Sequence, residues 1–250
     1  MKKLLLAFLL PVTFHAAAHD HIDIGVDPDD ENRLGLYGPV IQYALLVPVG
    51  EPFSGYAPNF PGGYYANELT FVTETYVLEP APGADPRIEF LSVTGPEGSV
   101  LAFWEAGANS PTLSMPTGWS APPDTPLSFP VELGGDGHLH GRIFTATHAG
   151  TYQLTFRAIA TAGSWTPSLP KTITFHVLPT PPLSIAVSDG NIELQFKSRT
   201  NLNYDIQVST SLTSNDWTIA DTLLGTGGTL VWSDPLNNRP RIFYRLVEYQ

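Results

Sequence analysis

Thr151-Tyr152-Gln153-Leu154-Thr155-Phe156-Arg157-Ala158 is the stretch that decides the fold class of this chain. Its apolar residues occupy every second position from Tyr152 to Phe156, which places them on one face of a strand and the polar residues on the other. The segment from Thr172 to Leu178 repeats the pattern. A period of two, interrupted by glycine and proline, is typical of antiparallel sheet with one buried face. We therefore expect an all-β fold.

The same pattern predicts further strands outside these two segments. They lie at Tyr43–Val49, Glu68–Leu78, Arg87–Thr94, Ser99–Glu105, Ile192–Phe196, Tyr204–Val208, Leu230–Ser233 and Ile242–Val247. Stretches rich in proline, glycine and serine predict two long loops, over Glu51–Gly63 and Ser110–Pro130.

Pro179-Thr180-Pro181-Pro182 predicts a boundary between two modules, because three prolines in four residues favour a stiff extended linker. We expect a β-sandwich domain over residues 19–178 and a smaller immunoglobulin-like or fibronectin-III-like β domain over residues 183–250. The smaller domain has four aromatic residues to fill its core. They are Trp217, Trp232, Phe243 and Tyr244.

The first 18 residues have the pattern of a secretory signal peptide. Lys2 and Lys3 provide the positive start, Leu4–Phe14 the apolar stretch, and Ala16–Ala18 the small residues of a cleavage site. The apolar run is shorter than the roughly 20 residues that span a bilayer, so we expect no membrane span. We expect an exported protein of the periplasm, cell surface or extracellular space.

The composition argues against several classes of partner and of chemistry. Without Lys2 and Lys3, the 12 basic residues become 10 against 24 acidic ones, a net charge of −14. Such acidity argues against nucleic acid and anionic lipid as partners. The chain has no cysteine, which excludes disulfides and thiolate chemistry. The usual catalytic and nucleotide-binding motifs are missing, so we predict no catalytic residues and no enzyme activity.

The histidines are the informative polar residues. Four of the seven form two H-x-H pairs, His19-Asp20-His21 and His138-Leu139-His140. In a strand, positions i and i+2 share a face, so each pair can present two imidazoles to one zinc or copper ion. Metal affinity should fall as the pH drops through about 6.5, since only neutral imidazole binds. Surface histidines in loops are the alternative interpretation.

Two other metal sites are open from the residues alone. If cleavage follows Ala18, the free amine of His19 can join its own imidazole or that of His21 in chelating copper. The acidic cluster Asp23, Asp27, Asp29, Asp30 and Glu31 supplies oxygen ligands of the kind calcium prefers. It lacks the EF-hand pattern, and a solvated acidic turn is the favoured interpretation.

Three motifs resemble the bacterial surface-anchored repeat family, also called choice-of-anchor M proteins. They are His21-Ile22-Asp23-Ile24-Gly25, Gly137–Thr145 with its His138-Leu139-His140, and Gly150–Arg157, together covering about residues 19–160. Arg142-Ile143 stands where that family usually has Asn-Trp. If the family's histidines bind metal, the resemblance implies His21, His138 and His140 as ligands, and His19, Glu105 and His148 are further candidates.

Residues 183–250 resemble a different module, the small C-terminal β domain of secreted Verrucomicrobia-type proteins. The resemblance rests on Tyr204–Leu212, Asp216-Trp217-Thr218 and Arg241–Leu246. It implies an immunoglobulin-like or fibronectin-III-like fold without catalysis.

Three functions remain. The first is a secreted or surface-associated binding protein that holds zinc or copper through paired histidines. The second is a metal-free adhesive module that contacts a polysaccharide or protein of the cell envelope through exposed aromatics. Its candidate residues are Tyr56, Phe60, Tyr64, Tyr65 and Trp119. The third, and the least supported, is a copper oxygenase that uses an N-terminal His19.

Overall fold

A computed structural model describes residues 20–50, 53, 57–73, 77–122, 127–131, 140–212, 216–236 and 241–249. Across these ranges the protein is all-β, as expected. Seventeen strands lie in the described part. They are β1 Asp20–Asp27, β2 Asp30–Tyr37, β3 Ile41–Val47, β4 Tyr64–Val72, β5 Pro86–Thr94, β6 Val100–Trp104, β7 Leu113–Pro116, β8 Ser128–Pro130, β9 Ile143–Ala146, β10 Gly150–Ala160, β11 Lys171–Val177, β12 Ser184–Ser188, β13 Asn191–Lys197, β14 Asn203–Ser209, β15 Thr218–Leu224, β16 Thr229–Pro235 and β17 Phe243–Tyr249.

The first eleven strands form one curled sheet. Its main path runs β7-β6-β9-β4-β3-β11-β10-β5-β8, and the β1–β2 hairpin joins it through β4. Strand β3 makes the sheet curl, because Ile41–Ala44 pairs in parallel with β11 whereas Leu45–Val47 pairs antiparallel with β4. The two halves of the sheet therefore face each other as in a sandwich.

The apolar residues of the predicted alternating pattern fill the core between these two halves. Tyr152, Leu154 and Phe156 of β10 are fully buried, whereas Thr151 and Gln153 are exposed. Three pairs of phenylalanine rings meet edge to face in the same core, at centroid distances of 5.1–5.8 Å, and Phe103 and Phe129 form a tilted pair at 4.6 Å. These contacts join strands from both halves of the sheet and add to the stabilisation that burial of the core provides.

The β1–β2 hairpin brings the first histidine motif onto the sheet. β1 pairs antiparallel with β2 and in parallel with β4. Ile22 and Ile24 enter the core, so the period of two directs His21 and Asp23 to the opposite face. Gly25 is required here, since an added Cβ would lie 2.4 Å from the carbonyl oxygen of Glu79.

A second apolar cluster lies on the outer face of the curled sheet. It contains Ala57, Phe60, Ala66, Ala102, Trp104 and Ile143. Phe60 is only 5% exposed, and its ring contacts Trp104 at 5.2 Å. The expectation that Phe60 is an exposed aromatic is therefore wrong.

The three other candidate aromatics that the structure describes do not form an exposed stacking surface either. Tyr64 is partly buried against the second cluster, while Tyr65 and Trp119 are partly buried against the main core. Tyr56 lies outside the described residues. Tyr64, Tyr65 and Trp119 thus pack against apolar clusters and are not a row of flat exposed rings.

The structure differs from the predictions at β4 and in the expected loop over Ser110–Pro130, and its described part contains strands that were not predicted: β1, β2, β7, β8, β9, β12 and β15. β4 begins at Tyr64 and ends at Val72, whereas the sequence predicted Glu68–Leu78, because Tyr64–Ala66 pairs with the second half of β3. The expected loop over Ser110–Pro130 contains β7, paired with β6, and β8, paired with β5. Neighbouring strands supplied hydrogen bonds that local composition does not reveal.

The last six strands form two three-stranded sheets, β12-β13-β16 and β15-β14-β17. Leu194, Phe196, Tyr204, Ile206 and Leu246 form the core of this part. Trp232 and Tyr244 pack against that core, as expected. Trp217 has a different role, because its ring lies 4.4 Å from the guanidinium carbon of Arg245 in a cation–π contact.

Candidate metal site

His21 and His140, which are far apart in the sequence, meet beside strand β4. Their ring centroids are 6.4 Å apart and the ring planes are inclined by 57°. Both side chains are at least partly buried. Of the histidines proposed as ligands, these are the two that the structure brings together.

Strand β4 is the common scaffold for this pair. Its parallel register places Thr70 beside His21, and its antiparallel register pairs Glu68 with Ile143 at the start of β9. The backbone N–H of Gly141, next to His140, donates a 2.8 Å hydrogen bond to Glu68 Oε1. One strand thus positions the segments that carry both imidazoles.

Two polar residues accompany the pair, and sequence reasoning missed both roles. Thr70 is fully buried, and its Oγ1 makes no hydrogen bond to the described residues. Asp23 shares the face of His21, two positions away. Burial raises the pKa of the Asp23 carboxyl, and the charge that His21 can carry opposes this rise. Polar groups therefore converge on a buried region where apolar packing would be expected.

The His21–His140 separation suits a shared metal ion. With a metal–nitrogen distance of about 2.1 Å, two imidazoles on one ion have centroids roughly 5–6 Å apart. The observed separation of 6.4 Å lies just above this range. No three His, Asp or Glu side chains within the described residues already form a metal-holding group. A metal site here would take two ligands from this pair and would need a third from another residue.

Two of the predicted ligands cannot be placed. His138 and His19 both lie outside the described residues. His138 precedes His140 by two positions, and His19 precedes His21 by the same spacing.

Glu105 is engaged by another partner. Its carboxylate accepts a hydrogen bond from Nε of Arg142, which also donates to the carbonyl oxygen of Pro130. Arg142 is fully buried beneath the ring of Phe103. Glu105 thus neutralises a buried cation, and the structure does not group it with the His21–His140 pair.

His148 lies at the wrong end of β9. It follows the strand, whereas His140 precedes it, and the four residues of β9 alone span roughly 13 Å. Its Nδ1 lies 2.9 Å from Thr147 Oγ1. His176 is also separate, with its ring 5.5 Å from that of Tyr43 on another strand pair. Both histidines therefore serve as internal controls for the site.

Two carboxylates of the acidic cluster pair with an arginine of the same hairpin. Arg33 Nε donates to Asp27 Oδ2 at 2.8 Å, and the same guanidinium lies 3.3 Å from Asp30. The hydrogen bond from Arg33 lowers the pKa of Asp27, with a further contribution from the N–H of Asp29. A cation of the chain itself thus holds the oxygen atoms that calcium would need.

None of the described residues forms a helix long and apolar enough to cross a membrane. Comparison with models of known protein families gives no match, and comparison with curated proteins gives none at a significant level.

Proposed function

We propose that this chain is an exported, non-enzymatic binding protein that holds a zinc or copper ion through His21 and His140. The observation that carries the proposal is the 6.4 Å approach of two imidazoles that the β4 scaffold brings together from segments far apart in the sequence. Imidazole nitrogen is a preferred ligand of both ions.

His138 is the proposed third ligand. The H-x-H spacing gives it the same face as His140 wherever the backbone is extended. Asp23 and Thr70 have the polar character of groups that orient metal-bound histidines through hydrogen bonds. Their burial beside His21 distinguishes this region from a pair of surface histidines.

Export and a cell-envelope partner complete the proposal. A positive start, an apolar stretch and a small-residue end support secretion, and the cysteine-free acidic composition is compatible with it. The proposed partner is a component of the cell envelope or its surroundings, bound by the loops of the sandwich. No catalytic step is assigned to the chain.

Metal titration tests the proposal. Chelator-treated protein lacking residues 1–18 is titrated with Zn²⁺ by calorimetry, and its metal content is then measured after dialysis. We expect one ion per chain, with affinity lowered at least tenfold in His21→Ala and in His140→Ala. His176→Ala is the matched control and should bind like the wild type. Equal binding by all variants would contradict the assigned ligands.

A further inference from the structure

Strand β12 is an open edge of the second module. It pairs only with β13 in the described part of the chain, at one end of the β12-β13-β16 sheet. Its two large side chains are strongly exposed, Ile185 by 63% and Val187 by 69%. An edge strand with apolar side chains is a template for pairing with another strand.

This edge lacks the features that normally prevent such pairing. Ser184–Ser188 contains no charged residue and no proline, and its register with β13 has no bulge. Charged residues, proline and bulges are the usual protections of natural edge strands. Within the described residues, the outer edge of β12 is therefore unpaired, and it carries none of these protective features.

The side chains of Ile185 and Val187 lie on the same face of the sheet as its core residues. Ile185 lies opposite Leu194 and Val187 opposite Ile192, and directly opposed residues point to the same face. Leu194 is fully buried in the core of this module. The apolar rows of the sheet thus extend onto β12, where nothing within the described residues covers them.

The sequence of β12 is complementary to itself. We propose that two copies of this chain associate through β12, paired antiparallel about a twofold axis at Ala186. In this register Ile185 lies opposite the partner's Val187, and Ser184 opposite the partner's Ser188. The apolar side chains of both copies then meet on one face of a continuous six-stranded sheet, as an isologous interface requires.

The distribution of charge supports this register and a second copy of the chain as the partner. The nearest charged residue, Asp189, lies opposite the partner's Leu183, so the two aspartates do not oppose each other. An uncharged strand also suits self-association of an acidic chain, because like charges directly opposite destabilise strand pairing.

A single cysteine tests the register, since the chain has none of its own. In Ala186→Cys the two Cα atoms would lie about 4.5–5.5 Å apart, which is within disulfide range. Mild oxidation should give a covalent dimer in high yield. Ser233→Cys, on the opposite edge strand of the same sheet, is the matched control and should cross-link poorly. Equal cross-linking of the two variants, or none in Ala186→Cys, would overturn the proposal.

Sedimentation of the cysteine-free protein over a range of concentrations gives a second readout. We expect a monomer–dimer equilibrium that Val187→Lys abolishes and Val231→Lys, an exposed valine of the same sheet, leaves intact. Circular dichroism checks that both variants are folded. A wild-type protein that stays monomeric, or a dimer that persists in Val187→Lys, would overturn the proposal.

Discussion

Arg142 and Glu105 form an ion pair in which the two partners differ sharply in exposure. The guanidinium side chain is 1% exposed, whereas the carboxylate side chain is 27% exposed. Water can solvate the glutamate if its partner is lost, but it cannot reach the arginine. Loss of the glutamate therefore leaves a buried charge, whereas loss of the arginine leaves a charge that water can solvate.

Removal of the carboxylate should be the more damaging change. Glu105→Ala leaves a buried, unneutralised cation and should lower the free energy of unfolding by about 3–5 kcal/mol. Arg142→Met leaves a partly hydrated carboxylate and should cost less, because methionine can fill much of the same volume. Urea denaturation of both variants measures this. A larger loss in Arg142→Met than in Glu105→Ala would contradict the assignment.

Phe60 should behave as a core residue. Phe60→Ala removes ring contacts with Trp104, Tyr64 and Phe53 and should lower the free energy of unfolding by about 3–5 kcal/mol. Tyr43, which is 49% exposed, provides the control. Tyr43→Ala should change stability far less. If thermal denaturation shows no loss in Phe60→Ala, the second apolar cluster does not stabilise the sheet.

Tyr204 should make the protein sensitive to alkaline pH. Its hydroxyl accepts a hydrogen bond from the N–H of Arg199 and donates one to Glu248. Burial, together with the hydrogen bond to Glu248, raises the pKa of Tyr204 to about 12. In the unfolded chain the tyrosine ionises near pH 10, so the folded state binds more protons between these values.

The sign of the pH dependence follows from this difference. Stability should be fully present below about pH 10 and should fall as the pH rises towards 12. Tyr204→Phe should weaken that fall, and at neutral pH it should cost about 1–3 kcal/mol through the lost hydrogen bonds. Denaturation curves over this pH range measure both effects, with the exposed Tyr37→Phe as control. An unchanged alkaline slope in Tyr204→Phe would contradict the assignment.

Gly95 should tolerate no side chain. An added Cβ would lie 2.5 Å from the ring of Tyr152, which is fully buried in the main core. Gly95→Ala should therefore destabilise the domain by about 1–3 kcal/mol through overpacking. Gly228→Ala is the control, because an added Cβ there would meet no atom closer than Thr226 Oγ1 at 3.4 Å and the φ of Gly228 is not positive. Chemical denaturation compares the two, and equal losses would contradict the packing argument.

The fold class was predictable because its signal is local. Alternation within a strand such as β10 depends only on neighbouring residues, and the structure buries Tyr152, Leu154 and Phe156 as predicted. The division of β3 between two halves of the sheet was not predictable, since it depends on partners more than 100 residues away, such as β11.

The site was predictable in part. The H-x-H pattern identified His21 and His140 by residue type, but their meeting depends on the parallel pairing of β1 with β4, which no local pattern shows. Thr70 gave no signal, because a lone threonine in a strand is common, and Asp23 was named only as part of the acidic cluster. Glu105 had a chemically suitable side chain, yet the burial of Arg142 beside it could not be read from the sequence.

X-ray absorption spectroscopy of the zinc-loaded protein tests the shared His21–His140 site most directly. The zinc edge should show at least two imidazole ligands at about 2.0–2.1 Å in the wild type. One of them should be lost in His21→Ala and one in His140→Ala, with no change in His176→Ala. Zinc bound only by oxygen, or an imidazole count that neither variant reduces, would contradict a metal ion held by this pair.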